Sequence, residues 1–256
     1  MKKIKLFIIP LIILSMQTNL QAQRVKEGGS SDGPEKKNCV KINLSSLAYK
    51  NIALQYERAI GNKISAAVQL RFMPKGKPFG LTQISDDPDL QNLYDSYKVG
   101  SFAITPEFRF YPKQALKGFY LAPYLRFRNI SMNLPIEYTD DNSIQQNVTS
   151  TGSFTSFGGG LMIGSHFNLG SRMSLDIFWL GIQYMLTNGT LKATSSKALS
   201  LTEQADLNSS LNDFKTEAEQ IIKDVTYSVN SNGFTLNGKW GSPGIRAIGI
   251  NLGVRF

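Results

Sequence analysis

Nine ionisable side chains of this sequence fall on one face of its alternating segments: Lys41, Glu57, Arg71, Glu107, Arg109, Arg126, Arg128, Asp176 and Arg255. Gathered in a narrow, water-poor space, such groups must pair, because isolated buried charge is very costly. The chemistry they imply is a salt-bridged polar plug. An incomplete network would instead line a path for an ion or small solute. Glu107 is expected to bridge arginines on its own strand and on the neighbouring one. His166 is the only histidine. A metal site would need companion ligands, and none stands at useful spacing along the chain. His166 is expected beside a short turn, as a satisfied polar residue near a rim. No catalytic, cofactor-binding or metal-ligating residue is therefore assigned. The expected role is structural or surface-binding, without catalysis. Two other readings stay open: an enzyme acting on membrane lipid or peptide, and a narrow solute channel. The enzyme would need a Ser, His or Asp cluster at the end opposite His166.

The elements that would hold these residues are strands of period two. Val40, Ile42 and Leu44 alternate with Lys41, Asn43 and Ser45. After a turn at 49–51, Ile52, Leu54 and Tyr56 oppose Ala53, Gln55 and Glu57. Past Gly61-Asn62, Ile64 to Phe72 alternates in the same way. The pattern returns in Phe102–Phe110, Phe119–Arg128, Phe157–His166 and Met173–Tyr184, and it closes with Ile248–Phe256. One face is apolar and rich in aromatics; the other is polar, charged or small, which is the mark of a strand between unlike media. Eight strands are expected. Residues 74–98, with the acidic run Asp86-Asp87-Pro88-Asp89, read as a long loop, and 133–151 as a second. Turns at 61–62, 113–117 and 168–171 are short.

The connection 185–243 is long enough to fold on itself. Leu207, Leu211, Phe214, Ala218 and Ile221 recur at steps of three and four, so a helix is expected over about 202–225. Tyr227, Val229, Asn232-Gly233, Phe234 and Leu236 read as a hairpin. The helix face is expected to be a lid on the mouth or a partner surface, and the hairpin could add two strands. Pro106 and Pro123 conflict with central strands, since proline cannot donate to the ladder; a bulge or a widened ladder is expected there.

Composition narrows the class. The chain has 256 residues, formal net charge +9 and a single cysteine, Cys39, so no disulfide framework exists. No basic cluster interleaved with aromatics suggests nucleic acid. Residues 1–22 read as a secretory signal, with Lys2, Lys3 and Lys5 before the apolar Leu6–Leu14 and a small-residue site at Leu20-Gln21-Ala22. Residues 23–38 read as a flexible leader, and 39–256 as the folded unit. The apolar run is too short to span a bilayer as a helix. A membrane-embedded chain of this kind would have to be a closed barrel.

The hairpin Ile104-Thr105-Pro106-Glu107-Phe108-Arg109-Phe110-Tyr111 with Gly118-Phe119-Tyr120-Leu121-Ala122-Pro123-Tyr124-Leu125-Arg126-Phe127, the Gly158-Gly159-Gly160 stretch and the terminal Phe256 resemble the small eight-stranded outer-membrane β-barrels of Gram-negative bacteria, a porin-like, OmpA/OmpX-like group. The resemblance implies a closed antiparallel eight-stranded barrel in the outer membrane, and little about activity. It also implies that Leu252, Val254 and Phe256 act as the signal read by the barrel-insertion machinery. The partners expected are outer-membrane lipid, that machinery, and an extracellular partner through 185–243. With an even strand number both termini would be periplasmic.

Overall fold

The computed structural model describes residues 36–77, 97–139 and 145–256. The signal segment, nearly all of the leader and the acidic run Asp86–Asp89 lie outside them. The elements are β1 (Asn38–Asn43), α1 (Leu44–Ala48), β2 (Ile52–Ala59), β3 (Ile64–Gly76), β4 (Lys98–Phe110), β5 (Gly118–Thr139), β6 (Gln145–Leu169), β7 (Met173–Ser195), α2 (Leu201–Ala218), β8 (Lys223–Asn230), β9 (Gly233–Arg246) and β10 (Gly249–Arg255).

The protein is all-β and antiparallel. Each strand from β2 to β7 pairs with its predecessor, and β10 pairs with both β1 and β7, so eight strands are hydrogen-bonded in a ring. The tail meets the first strand as its pattern suggests, with Val40 opposite Val254 and Ile42 opposite Leu252. The hairpin of β8 and β9 adds two strands to the sheet but not to the ring. β9 pairs with the outer half of β7, from Gly181 to Thr194, while β10 pairs with its inner half, from Met173 to Phe178. The change of partner falls at Trp179 and Leu180, where the β6–β7 register also shifts. This bulge explains why Phe178-Trp179-Leu180-Gly181-Ile182 shows no clean alternation: Phe178 faces inward and is buried, whereas Trp179 and Leu180 are exposed.

The ring is uneven. β1 and β2 have 6 and 8 residues, whereas β5, β6 and β7 have 22, 25 and 23. The stretch 133–151 is consequently not a long loop: β5 runs to Thr139 and β6 starts at Gln145, paired in register to their ends. In β6 the polar run Thr149–Ser153 forms strand because β5 and β7 pair with it on both sides. The first strand is shorter than its pattern. Asn43 turns the chain into α1, its side chain accepting a hydrogen bond from the Ser46 amide at 2.7 Å.

Both prolines sit in paired strands without a bulge. The β4–β5 register is the same at Ile104–Phe127, Glu107–Tyr124 and Phe110–Leu121, and the pairs between them are open. Extending that register places Pro106 opposite Leu125 and Pro123 opposite Phe108. The missing donors interrupt the pairing and leave its register intact.

Inside and outside differ sharply. Outward side chains are apolar and exposed, among them Leu54, Leu70, Phe72, Phe108, Leu125, Phe157 and Leu161. Inward side chains are buried and mostly polar: Lys41, Gln55, Glu57, Gln69, Thr105, Glu107, Arg109, His166, Asp176 and Asn251. Two inward glycines make room for them. A Cβ on Gly164 would lie 2.4 Å from the Tyr120 ring, and one on Gly253 would lie 2.9 Å from Lys41 Cγ. Gly164→Ala should therefore displace Tyr120 and lower unfolding free energy by about 1–3 kcal/mol. Gly61→Ala, where a Cβ meets nothing within 4 Å, should change it by less than about 0.5 kcal/mol. Urea titration of the refolded chain in detergent checks both.

Candidate functional site

The inward rows of β1, β2, β4, β6 and β7 bring charges together at the level of His166 and Asp176, which face each other in the β6–β7 ladder. Arg109 lies at the centre. Its Nη1 donates to Glu57 at 2.9 Å and to Asp176 at 2.6 Å. Its Nη2 donates to Glu107 at 2.8 Å and to Gln55 at 3.1 Å, and its Nε also donates to Glu107 at 3.1 Å. The guanidinium lies 4.4 Å from the centre of the Tyr120 ring. Lys41, fully buried, bridges Glu57 and Asp176. The remaining carboxylate lone pairs are taken by neutral donors. Tyr111 donates to Glu57 at 2.7 Å and Tyr120 to Asp176 at 2.8 Å. Ser65 also donates to Glu57, and Gln55 to Glu107 at 3.0 Å. Every member of such a network must be satisfied for it to stabilise the fold, and this one is close to complete.

Lys41, Glu57, Glu107, Arg109 and Asp176 thus meet as expected. Glu107 does bridge two arginines, but the second is Arg246 on β9, at 3.5 Å across the interior, and not an arginine of a neighbouring strand. Arg71, Arg126 and Arg128 stand apart from this network, farther toward the end that carries the long connections. Arg255 does not belong to it at all. Its Nη2 caps the β6–β7 turn, donating to the carbonyls of Gly170 at 3.0 Å and Ser171 at 3.4 Å.

His166 departs from the sequence expectation. It is fully buried, not at the rim, and its Nδ1 lies 3.4 Å from Lys41 Nζ and 3.8 Å from Glu57. Its Nε2 has no hydrogen-bond partner among the described residues. Companion ligand types also stand closer than the linear spacing implies: potential ligand atoms of Glu57, His166 and Asp176 lie within 4.8 Å of one another. The Lys41 ammonium rests on both carboxylates, and Arg109 shares the same oxygens, so the group already holds its cations. Arg246, Gln55, Gln69, Tyr111 and Tyr120 are members that sequence reasoning does not single out, whereas His166 is singled out but placed at the rim. The inward alternation of β2, β3, β5 and β6 carries a signal for several of them, but Arg246 follows a stretch that reads as a connection.

The apolar face expected as a partner surface is folded inward. Leu211 is fully buried against Val148, Ala193 and Phe234, with Leu207 packed alongside, and Ala218 is also buried. Phe214 is half-buried, and Ile221, beyond the helix end, is exposed. The helix begins at Leu201, after a capping box in which the Glu203 amide donates to Ser200 Oγ at 3.1 Å and the Ser200 amide to Glu203 at 2.7 Å. It ends at Ala218 and not near 225, because the residues that follow pair with β9, from Tyr227–Leu236 to Asn230–Gly233. At the tail, Leu252 is half-buried while Val254 and Phe256 are exposed on the outer face.

Fold and site together define an all-β protein whose sheet is apolar outside and carries an ion-paired polar interior. The chain belongs to the family described as Protein of unknown function (DUF3575), whose model matches residues 7–204. Among solved structures, a major outer membrane protein from Thermus thermophilus aligns at 15% identity over 87% of this chain and 100% of that one, with a TM-score of 0.42. No curated protein matches.

Removing Arg109 would leave Glu57 and Asp176 to Lys41 alone and Glu107 to the 3.5 Å contact with Arg246. Arg109→Met should destabilise the fold by about 3–5 kcal/mol, the usual result of breaking a buried ion pair on one side. Arg255→Ala, which removes only a partly exposed turn contact, should cost less than about 1 kcal/mol. Unfolding midpoints of the two variants side by side check the difference.

Proposed function

We propose that this chain is an integral outer-membrane β-barrel with a structural or surface-binding role and no catalysis. The observation that carries the reading is the inverted polarity of the ring, with exposed Leu, Ile and Phe outside and buried charge within. In water such a band would aggregate; in a bilayer it meets its proper solvent. The ladder running from β10 through β1 to β7 and back to β10 supports closure, which leaves no unpaired strand edge for lipid to meet.

Both termini of the ring lie at one end, where the Asn38 amide donates to the Phe256 carbonyl at 3.0 Å, and the short turns share that end. It is the periplasmic end in this reading, and the outward Val254 and Phe256 are what the assembly machinery reads. β5, β6 and β7 are far longer than the roughly 9–11 residues a tilted strand needs to span a membrane. Their outer portions, with β8, β9 and α2, stand clear of the lipid as the surface available to an extracellular partner. Since the apolar face of α2 is covered, that partner meets polar side chains and the exposed Leu201 and Ile221. The absence of catalysis rests on His166, which is enclosed among the ion pairs on the periplasmic side.

The full chain should fractionate with outer membranes and run at different apparent mass before and after boiling. Leu125→Arg, on the outer face, should reduce the heat-shifted fraction by an amount equivalent to about 2–4 kcal/mol. A soluble chain without a mobility shift would overturn the reading. In planar bilayers the wild-type chain should give no stable conductance, because the Arg109 network fills the interior; steady channels would favour a solute path.

A further inference from the structure

We infer that the outer half of the interior, where Arg71, Arg126, Arg128 and Arg246 converge, binds a small water-soluble polyanion bearing phosphoryl groups. The inference rests on the barrel reading and deepens it, naming what the interior takes from the outside.

Charge is distributed very differently in the two halves. In the inner half Lys41 and Arg109 are held by Glu57, Asp176 and Glu107. In the outer half four guanidinium groups share, among the described residues, one carboxylate, Glu107, which is already bound by Arg109. Arg246 completes its contacts with neutral Gln69 at 3.2 Å, and Arg126 donates its Nε to Thr105 at 3.1 Å. Among the described residues no ion pair reaches Arg71, Arg126 or Arg128, and the buried Nε atoms of Arg71 and Arg128 have no hydrogen-bond partner. Arg126 and Arg246 are 8% and 6% exposed, so bulk water does not screen them. They are near enough to repel: Arg71 feels Arg246 and Arg128, and Arg126 feels Arg246 and Arg71. Glu107 and aromatic π faces soften this, with Arg246 4.8 Å and Arg126 5.8 Å from the centre of the Tyr124 ring.

The strands hold this arrangement. Arg71 and Arg128 occupy one row of the sheet, separated by Ala103, with Ala53 on the other side of Arg71. Arg126 faces Gly158. These neighbours carry no anion, and Arg71 and Arg128 stay partly exposed, whereas Met185 already fills the space beside Gly158. A fold stable with such a group needs anions, and four charges against one shared carboxylate call for more than a single negative charge. Guanidinium forks match phosphoryl oxygens in pairs. The ligand is water-soluble because β3, β4 and β5 stand between these residues and the apolar outer face, so acyl chains cannot follow a headgroup in.

The test uses the full chain refolded in neutral detergent, with pyrophosphate as probe and the temperature of the heat-induced gel shift as readout. Pyrophosphate should raise that temperature saturably above sodium chloride of equal ionic strength, with orthophosphate weaker. In an Arg126→Gln, Arg128→Gln double variant the protection should weaken at least about tenfold, the loss expected for charge-assisted hydrogen bonds. Without ligand the variant should shift at or above the wild-type temperature, since repulsion is relieved. Arg172→Gln, at an exposed turn on the other end, should keep full protection. Equal effects of pyrophosphate and chloride would overturn the site, as would a lower unliganded temperature for the double variant or loss of protection in Arg172→Gln. Protection by phosphatidic acid in mixed micelles, but not by pyrophosphate, would assign the effect to lipid and overturn it too. A chain with no heat-shifted band at all would fail the barrel reading itself and remove the site with it.

Discussion

An arginine enclosed by protein on every side must have its charge answered in place, and Arg109 is where this protein meets that demand. Its guanidinium reaches Glu57 from β2, Glu107 from its own strand and Asp176 from β7, strands far apart in sequence. Lys41 adds β1 by bridging two of the same carboxylates. The ring can hold these charges only if its strands converge on one centre, and they converge because leaving any of these groups alone would cost more than the fold can offset. The network therefore acts as a register lock. Sliding a strand by one residue would turn its charge toward the outer face and an apolar side chain inward.

The same inversion of polarity explains the irregularities. β7 serves two partners because the chain must close a short ring and also carry a taller wall. The bulge at Trp179–Leu180 lets it do so while keeping Asp176 and Phe178 inside on one side and Met185 and Ala193 inside on the other. Above that point β9 takes the place of β10, and Arg246 at its lower end reaches down to Glu107. The insertion is thus tied both to the wall, through the Leu211 cluster, and to the charged interior, through one arginine.

Much of this is legible in the sequence. Strict alternation locates the ring strands, their inner and outer faces and the pairing of the tail with the first strand, since period two has no other simple use over so many segments. It also draws Lys41, Glu57, Glu107, Arg109 and Asp176 onto the inner face. It fails where composition and fold diverge. The Ser- and Thr-rich start of β6 and the mixed end of β5, with Asn133 and Pro135, read as loop because that composition is as common in loops as in strands. The helical spacing that continues through Ile221, Ile222 and Val225 suggests a longer α2, but pairing of β8 with β9 outweighs that periodicity.

What the sequence by itself determined is the side of the sheet on which each residue lies, because a strand's alternation is local and needs no partner to be read. What only the tertiary structure decided is which inward residues share a level. His166 joins the ion pairs because β6 runs beside β7, Arg255 leaves them because it lies at the end of β10, and Arg71, Arg126 and Arg128 stand without ion pairs among the described residues because the positions paired with them carry alanine, glycine and serine. Levels depend on strand offset around the ring, a long-range property that no single segment encodes.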